Sequence, residues 1–201
     1  MRSKLLIVLA VLVVLSAVFV GVVAMQPDEF RVTRSALIKG PAAEVSGHVS
    51  DFRKWEAWSP WAKLDPNAKN EFEGPAQGVG TVFKWSGNDE VGEGKMTLLE
   101  DKPGEFVKIN LEFIKPMACL NITEFQFAPE GDQTKVVWTM YGPNNFMGKL
   151  AGLFMNLDEM VGRDFEKGLA NLKGVVETPE KPTETVTPPA AASPTEGAVR
   201  P

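Results

Sequence analysis

The sequence predicts an α+β fold, a curved antiparallel sheet wrapped around one long C-terminal helix, with one membrane-length helix ahead of it. Three observations predict it. Between Asn70 and Tyr141 a string of β-rich segments runs from one turn signal to the next. From Asn144 or Asn145 the apolar period lengthens to three or four residues and holds to Val176. And the stretch LLIVLAVLVVLSAVFVGVVAM, Leu5 to Met25, carries no charge.

That first stretch reaches about 30 Å as a helix at ~1.5 Å per residue, the thickness of a bilayer core. Signal peptides have shorter apolar regions, about 7–15 residues, so residues 1–25 read as an uncleaved anchor. Val22-Val23-Ala24 would pass as a cleavage site, and cleavage would make the protein secreted. No cysteine follows the segment, which excludes a lipoprotein. Arg2 and Lys4 precede it and hold the N-terminus in the cytoplasm. The domain then faces the periplasm or the cell exterior.

Phe30 to Gly40 reads as the first strand. Pro41 suits the first turn of a short helix that carries Val45, His48 and Val49 and ends near Ser50. Asp51 is a good N-cap for a second short helix with Phe52, Trp55 and Trp58, which Pro60 ends. The strands that follow are expected near 70–73, 80–86, 92–101, 105–115, 118–127 and 135–141. Val107, Ile109, Leu111 and Phe113 alternate with Lys108, Asn110 and Glu112, the pattern of a half-buried strand. Leu120 and Ile122 stand out of phase with Phe125 and Phe127, which suggests a bulge near Thr123. The helix, about thirty residues long, takes Phe146, Leu150, Leu153, Phe154, Leu157, Met160, Val161, Phe165, Leu169, Leu172 and Val176 on its apolar side. Beyond it, residues 177–201 are rich in Pro, Thr, Ala and Glu and lack aromatics, the composition of a disordered tail. The folded domain is residues 29–176.

Composition narrows the function. Net charge is −5, and without Arg2 and Lys4 the chain carries −7. An acidic body lacking a Lys/Arg cluster argues against nucleic acid and against electrostatic docking on anionic lipid. Cys119 and His48 are the only residues of their kinds, which removes disulfides and most zinc sites. No cofactor and no metal is expected.

The order of segments resembles the START-like (SRPBCC) superfamily in its polyketide cyclase/dehydrase-type branch. The resemblance rests on PAAEVSGHVSDFRKWEAWSPW after the first strand, on GVGTVFKWSG, on the hairpin GEGKMTLLEDKPGEFVKINLEF, and on TKVVWTMYG running into the long helix. It implies a helix-grip fold with an apolar cavity between sheet and helix that takes a lipid, a polyketide or another hydrophobic small molecule. The superfamily shares no catalytic residue, so no reaction follows from the fold.

The candidate cavity lining is Trp58, Trp61, Phe83, Trp85, Met96, Leu98, Ile109, Leu111, Phe113, Trp138, Met140, Tyr141, Leu153, Phe154, Leu157 and Met160. The same residues would also build a filled core, and sequence does not separate the two. Trp55 and Trp58, about 60° apart on one helical face, read as inward packing, and Trp61 as a residue of the cavity mouth. Met147, Met155 and Met160 favour an adaptable lining. His48 as general base and Tyr141 as a ligand-bonding phenol are the candidates for a cyclase or dehydratase, against plain structural roles. The Asn121-Ile122-Thr123 sequon lies in a predicted strand, and Gly78-Val79-Gly80 lacks the context of a phosphate loop. The leading expectation is a membrane-tethered module for a hydrophobic ligand or lipid. The alternatives are an enzyme, or an interaction protein with a filled core.

Overall fold

The computed structural model describes residues 2–178, so the predicted tail lies outside the described residues apart from its first two. Helix α1 spans Arg2–Ala24 and contains a 22-residue segment apolar enough to cross a membrane, a property that signal sequences share. Four residues later the chain enters the sheet. Its strands are β1 (Glu29–Lys39), β2 (Lys69–Glu73), β3 (Val82–Ser86), β4 (Glu93–Lys102), β5 (Phe106–Lys115), β6 (Cys119–Glu130) and β7 (Gln133–Pro143). Every pairing is antiparallel, in the order β1-β7-β6-β5-β4-β3-β2. This is the helix-grip architecture.

The register defines two ends. Glu29 pairs with Pro143, Cys119 with Phe113, and Glu93 with Lys115, so these strand termini gather at the end where α1 arrives, the anchor end. The tight turns at Lys102–Glu105 and Glu130–Gln133 mark the distal end.

Between β1 and β2 lie α2 (Ala42–Ser50), a 3-10 turn (Phe52–Lys54) and α3 (Trp55–Trp58). Asp51 caps as expected, accepting from the Arg53 backbone N–H at 3.0 Å. The tryptophans have a second job beyond packing. The Trp55 indole N–H donates to the Val49 carbonyl at 2.8 Å, and that of Trp58 to the His48 carbonyl at 3.0 Å. These carbonyls belong to the last turn of α2, where intrahelical partners run out.

The single long helix divides in two. Helix α4 (Phe146–Gly152) and helix α5 (Leu157–Glu177) are separated at Leu153–Asn156. Asn145 and Asn156 are the reason. Each side chain accepts a backbone N–H three residues on and so starts a helix of its own, which apolar periodicity alone does not reveal. Phe165, Leu169, Leu172 and Val176 form the buried stripe of α5.

No bulge occurs at Thr123. Strand β6 pairs without interruption on both sides, and the register shifts lie instead between β4 and β5, at Glu93/Gly94 and Leu98/Glu100. Leu120 and Ile122 simply occupy the outer face. Asn121 and Thr123 point inward with Phe125 and Phe127.

Candidate functional site

The concave face of the sheet has two unlike halves. The distal half is full. Trp138 sits at its centre, stacked on Phe165 at 4.0 Å between centroids and on Phe125 at 4.8 Å, with Trp55, Trp58 and Trp61 edge-on around it. Gly168 of α5 leaves the space that the Trp138 ring fills. Trp58, Leu98 and Ile109 are fully buried here, so they serve the core rather than the wall of an open cavity. Trp61 stays half-buried against Trp138 and Phe165.

Toward the anchor end and the β2 edge the roof stops short. Helix α5 lies over β1, where Gly162 gives passage to the Arg34 side chain. The Arg34 guanidinium holds Asp158 at 3.0 and 3.1 Å and Glu166 at 2.8 Å, and it depresses the pKa of the Asp158 carboxyl. Phe83, Trp85, Leu111 and Phe113 point to the same concave face as Met96, yet they remain half-exposed because no helix covers them fully. Trp85 lies flat over Gly94, where a Cβ would meet its ring, and its indole N–H donates to the Val91 carbonyl at 2.9 Å. Stacked on Phe83 at 6.0 Å and edge-on to Phe113 at 5.8 Å, it forms an aromatic strip along β3, β4 and β5.

Polar groups interrupt this apolar face. Asn121 Oδ1, Thr123 Oγ1 and Trp138 Nε1 are buried and have no hydrogen-bond partner among the described residues. Asn121 pairs across from Leu111, Thr123 sits between Ile109 and Met140, and Trp138 faces Phe125. A buried donor or acceptor left unpaired costs about 1–3 kcal/mol; Trp138 Nε1 is sealed in the filled half, whereas Asn121 and Thr123, two residues apart on β6, form a pair that a ligand can satisfy. Asn121 and Thr123 are absent from the lining expected from the sequence, where a bulge near Thr123 was to absorb the phase change that strict alternation explains. Taking strict alternation from Phe125 and Phe127 backward would have found them.

Other candidates stand apart. Tyr141 corrects an expectation, since it lies on the outer face of the sheet and not on the concave one. It donates to Glu124 at 2.8 Å, Glu124 pairs with Lys108 at 3.1 Å, and Arg31 stacks on the ring at 4.4 Å. The Glu124 carboxylate raises the phenol's pKa, which keeps it neutral. A shallow open depression of about 480 Å³ beside it is lined by Leu120, Ile122 and Pro143. His48 is on α2, at the distal end, and its Nδ1 is buried and unpaired. Burial lowers its pKa, with Lys54 adding to the effect. His48 and Tyr141 therefore occupy opposite ends and opposite faces and share no site. Of the helix residues, Leu153 and Leu157 are half-buried, Met160 is exposed, and Phe154 is 77% exposed, since the break after α4 turns it away from the sheet.

Comparison with known proteins agrees with this architecture. The family model for polyketide cyclase / dehydrase and lipid transport proteins matches residues 29–177. No curated protein matches the chain. Among solved structures it is similar to protein CV1439 of Chromobacterium violaceum, with a TM-score of 0.53 and 16% identity over 76% of this chain and 99% of that one. It is similar to Aha1 of Colwellia psychrerythraea, with a TM-score of 0.52 and 17% identity over 76% and 99%. The KanY protein gives a TM-score of 0.54 and 20% identity over 75% and 99%. At these identities the likeness concerns the fold.

Proposed function

We propose that this chain, which belongs to the polyketide cyclase / dehydrase and lipid transport family, is a membrane-tethered binding module for a lipid or similar apolar molecule that carries a hydrogen-bonding group. The apolar body of the ligand lies along the strip of Phe83, Trp85 and Phe113, and its polar group reaches toward Asn121 and Thr123. Helix α1 acts as the tether, and the domain lies outside the cytoplasm.

The observation that carries this reading is the pair of unpartnered polar atoms on Asn121 and Thr123, set into an apolar concave face beside the half-exposed aromatic strip. A core made only for stability would use apolar residues there or pair the polar ones. A ligand with a donor and an acceptor relieves them, and only such a ligand gains the energy of those bonds.

The test follows the side-chain amide of Asn121 by NMR in the full chain, held in phosphatidylcholine nanodiscs, during titration with a long-chain fatty acid and with an alkane of the same length. A saturable shift of the Asn121 signal with the fatty acid, and a weaker one with the alkane, supports the reading. An Asn121 signal that neither probe moves refutes it.

A further inference from the structure

We infer that the anchor end of the domain is itself a membrane-contacting surface, seated in the interface of the bilayer that α1 crosses. This inference rests on the reading of α1 as an uncleaved anchor.

The exposed large apolar side chains of the domain are not spread evenly. Met117 and Leu120 stand on the hairpin between β5 and β6, with 62% and 50% of their surface exposed. Phe146, Met147, Phe154 and Met155 stand on α4 and the segment after it, with 49%, 57%, 77% and 51% exposed. Both groups lie at the end of the sheet where α1 arrives. The distal end presents Lys102, Glu105, Glu130 and Asp132 in its turns, and its exposed apolar side chains, Leu37, Val79 and Leu99, stand singly on three different segments. An apolar patch of this kind marks an interaction surface.

The geometry selects lipid as the occupant. Helix α4 packs against the end of α1. Lys149 is the only charged residue from Phe146 to Leu157, and it is consumed at the joint, donating to Asp28 and to the Ala24 carbonyl at the end of α1. Asn144 fastens the same joint, through its backbone N–H to Asp28 and its side chain to Pro27. Once α1 is in the bilayer, α4 is therefore held beside the point where the chain leaves it. Helical apolar surface at that depth partitions into the headgroup and acyl boundary. The loop between β3 and β4 at the same end carries Asp89 and Glu90, so the domain seats on one side and leaves that corner in water. Because the acidic body gives no electrostatic attraction, contact is driven by burial of apolar area.

The native Cys119 is exposed at the start of β6 and serves as a reporter. Full-length chain is reconstituted in phosphatidylcholine vesicles with a nitroxide at Cys119, or, in a Cys119→Ser background, at Leu12→Cys, Phe154→Cys or Asp132→Cys. Collision with oxygen is then compared with collision with a water-soluble nickel complex. The expected result is an oxygen-to-nickel ratio several-fold higher at 119 and 154 than at 132, with the highest ratio at 12. If position 12 is in lipid while 119 and 154 match 132, the seated surface is overturned and the anchor stands. If position 12 is itself aqueous, the anchor reading falls and takes this inference with it.

Discussion

Trp138 of β7 and Phe165 of α5 lie face to face, 4.0 Å between ring centroids with planes 8° apart. This contact fastens the helix to the sheet at the one place where the concave face is completely filled. Phe165→Ala removes the upper ring and opens a void over a buried indole. The expected loss is about 3–5 kcal/mol, read as a lower urea midpoint at unchanged slope, while Phe165→Leu retains much of the volume and loses less.

The unpaired hydroxyl of Thr123 leads to an opposite result. Thr123→Val keeps the shape and removes a buried polar group that has no partner. Ligand-free protein is expected to gain about 1 kcal/mol in stability and to bind the fatty acid probe more weakly. Chemical denaturation and probe titration on the same preparation check both halves. A loss of stability with unchanged binding would remove Thr123 from the site.

Gly162 and Arg34 form a tight crossing, because a Cβ at 162 would overlap the guanidinium. Gly162→Ala is expected to push Arg34 off Asp158 and Glu166 and to lower the denaturation midpoint, with part of the loss offset by alanine's better helix propensity. The same substitution in an Arg34→Ala background costs much less, so a double-mutant cycle isolates the pair. Additive effects would show that the helix tolerates the methyl group without moving Arg34.

His48 sets a pH dependence. Its pKa in the fold is lowered from 6.5, first by burial and then by Lys54, against the opposing pull of Glu44 and Asp51. The unfolded chain therefore binds the proton more readily. The stability contributed by neutral His48 is present above the unfolded value and is lost as pH falls through the folded one. Denaturation midpoints are expected to decline below about pH 6.5, and His48→Gln is expected to flatten that part of the curve. An identical decline in the variant would show that His48 is not its source.

Much of this architecture was legible in the sequence because alternation and period are local. Strand β5 announced itself through Val107, Ile109, Leu111 and Phe113, and the turn of Asp51 and Pro60 was placed by its caps. What escaped depended on neighbours. The phase change from Leu120 and Ile122 to Phe125 and Phe127 suggested a bulge, whereas the cross-strand register simply turns the first two outward and brings Asn121 and Thr123 in. The helix split at Asn156 because a capping side chain outweighed an apolar rhythm that continued past it. Tyr141 met Glu124 and Arg31, a contact made through pairing of three strands that no single segment encodes.

Strand β1 takes its load from the anchor within four residues and is zipped along all eleven of its residues to β7. It runs away from the anchor end, so a tug on α1 acts along the strand. The rungs of that ladder then bear the force side by side, in shear, instead of peeling open in turn. The joint is thus a stiff mechanical coupling, through which a pull on α1 is carried into the whole sheet.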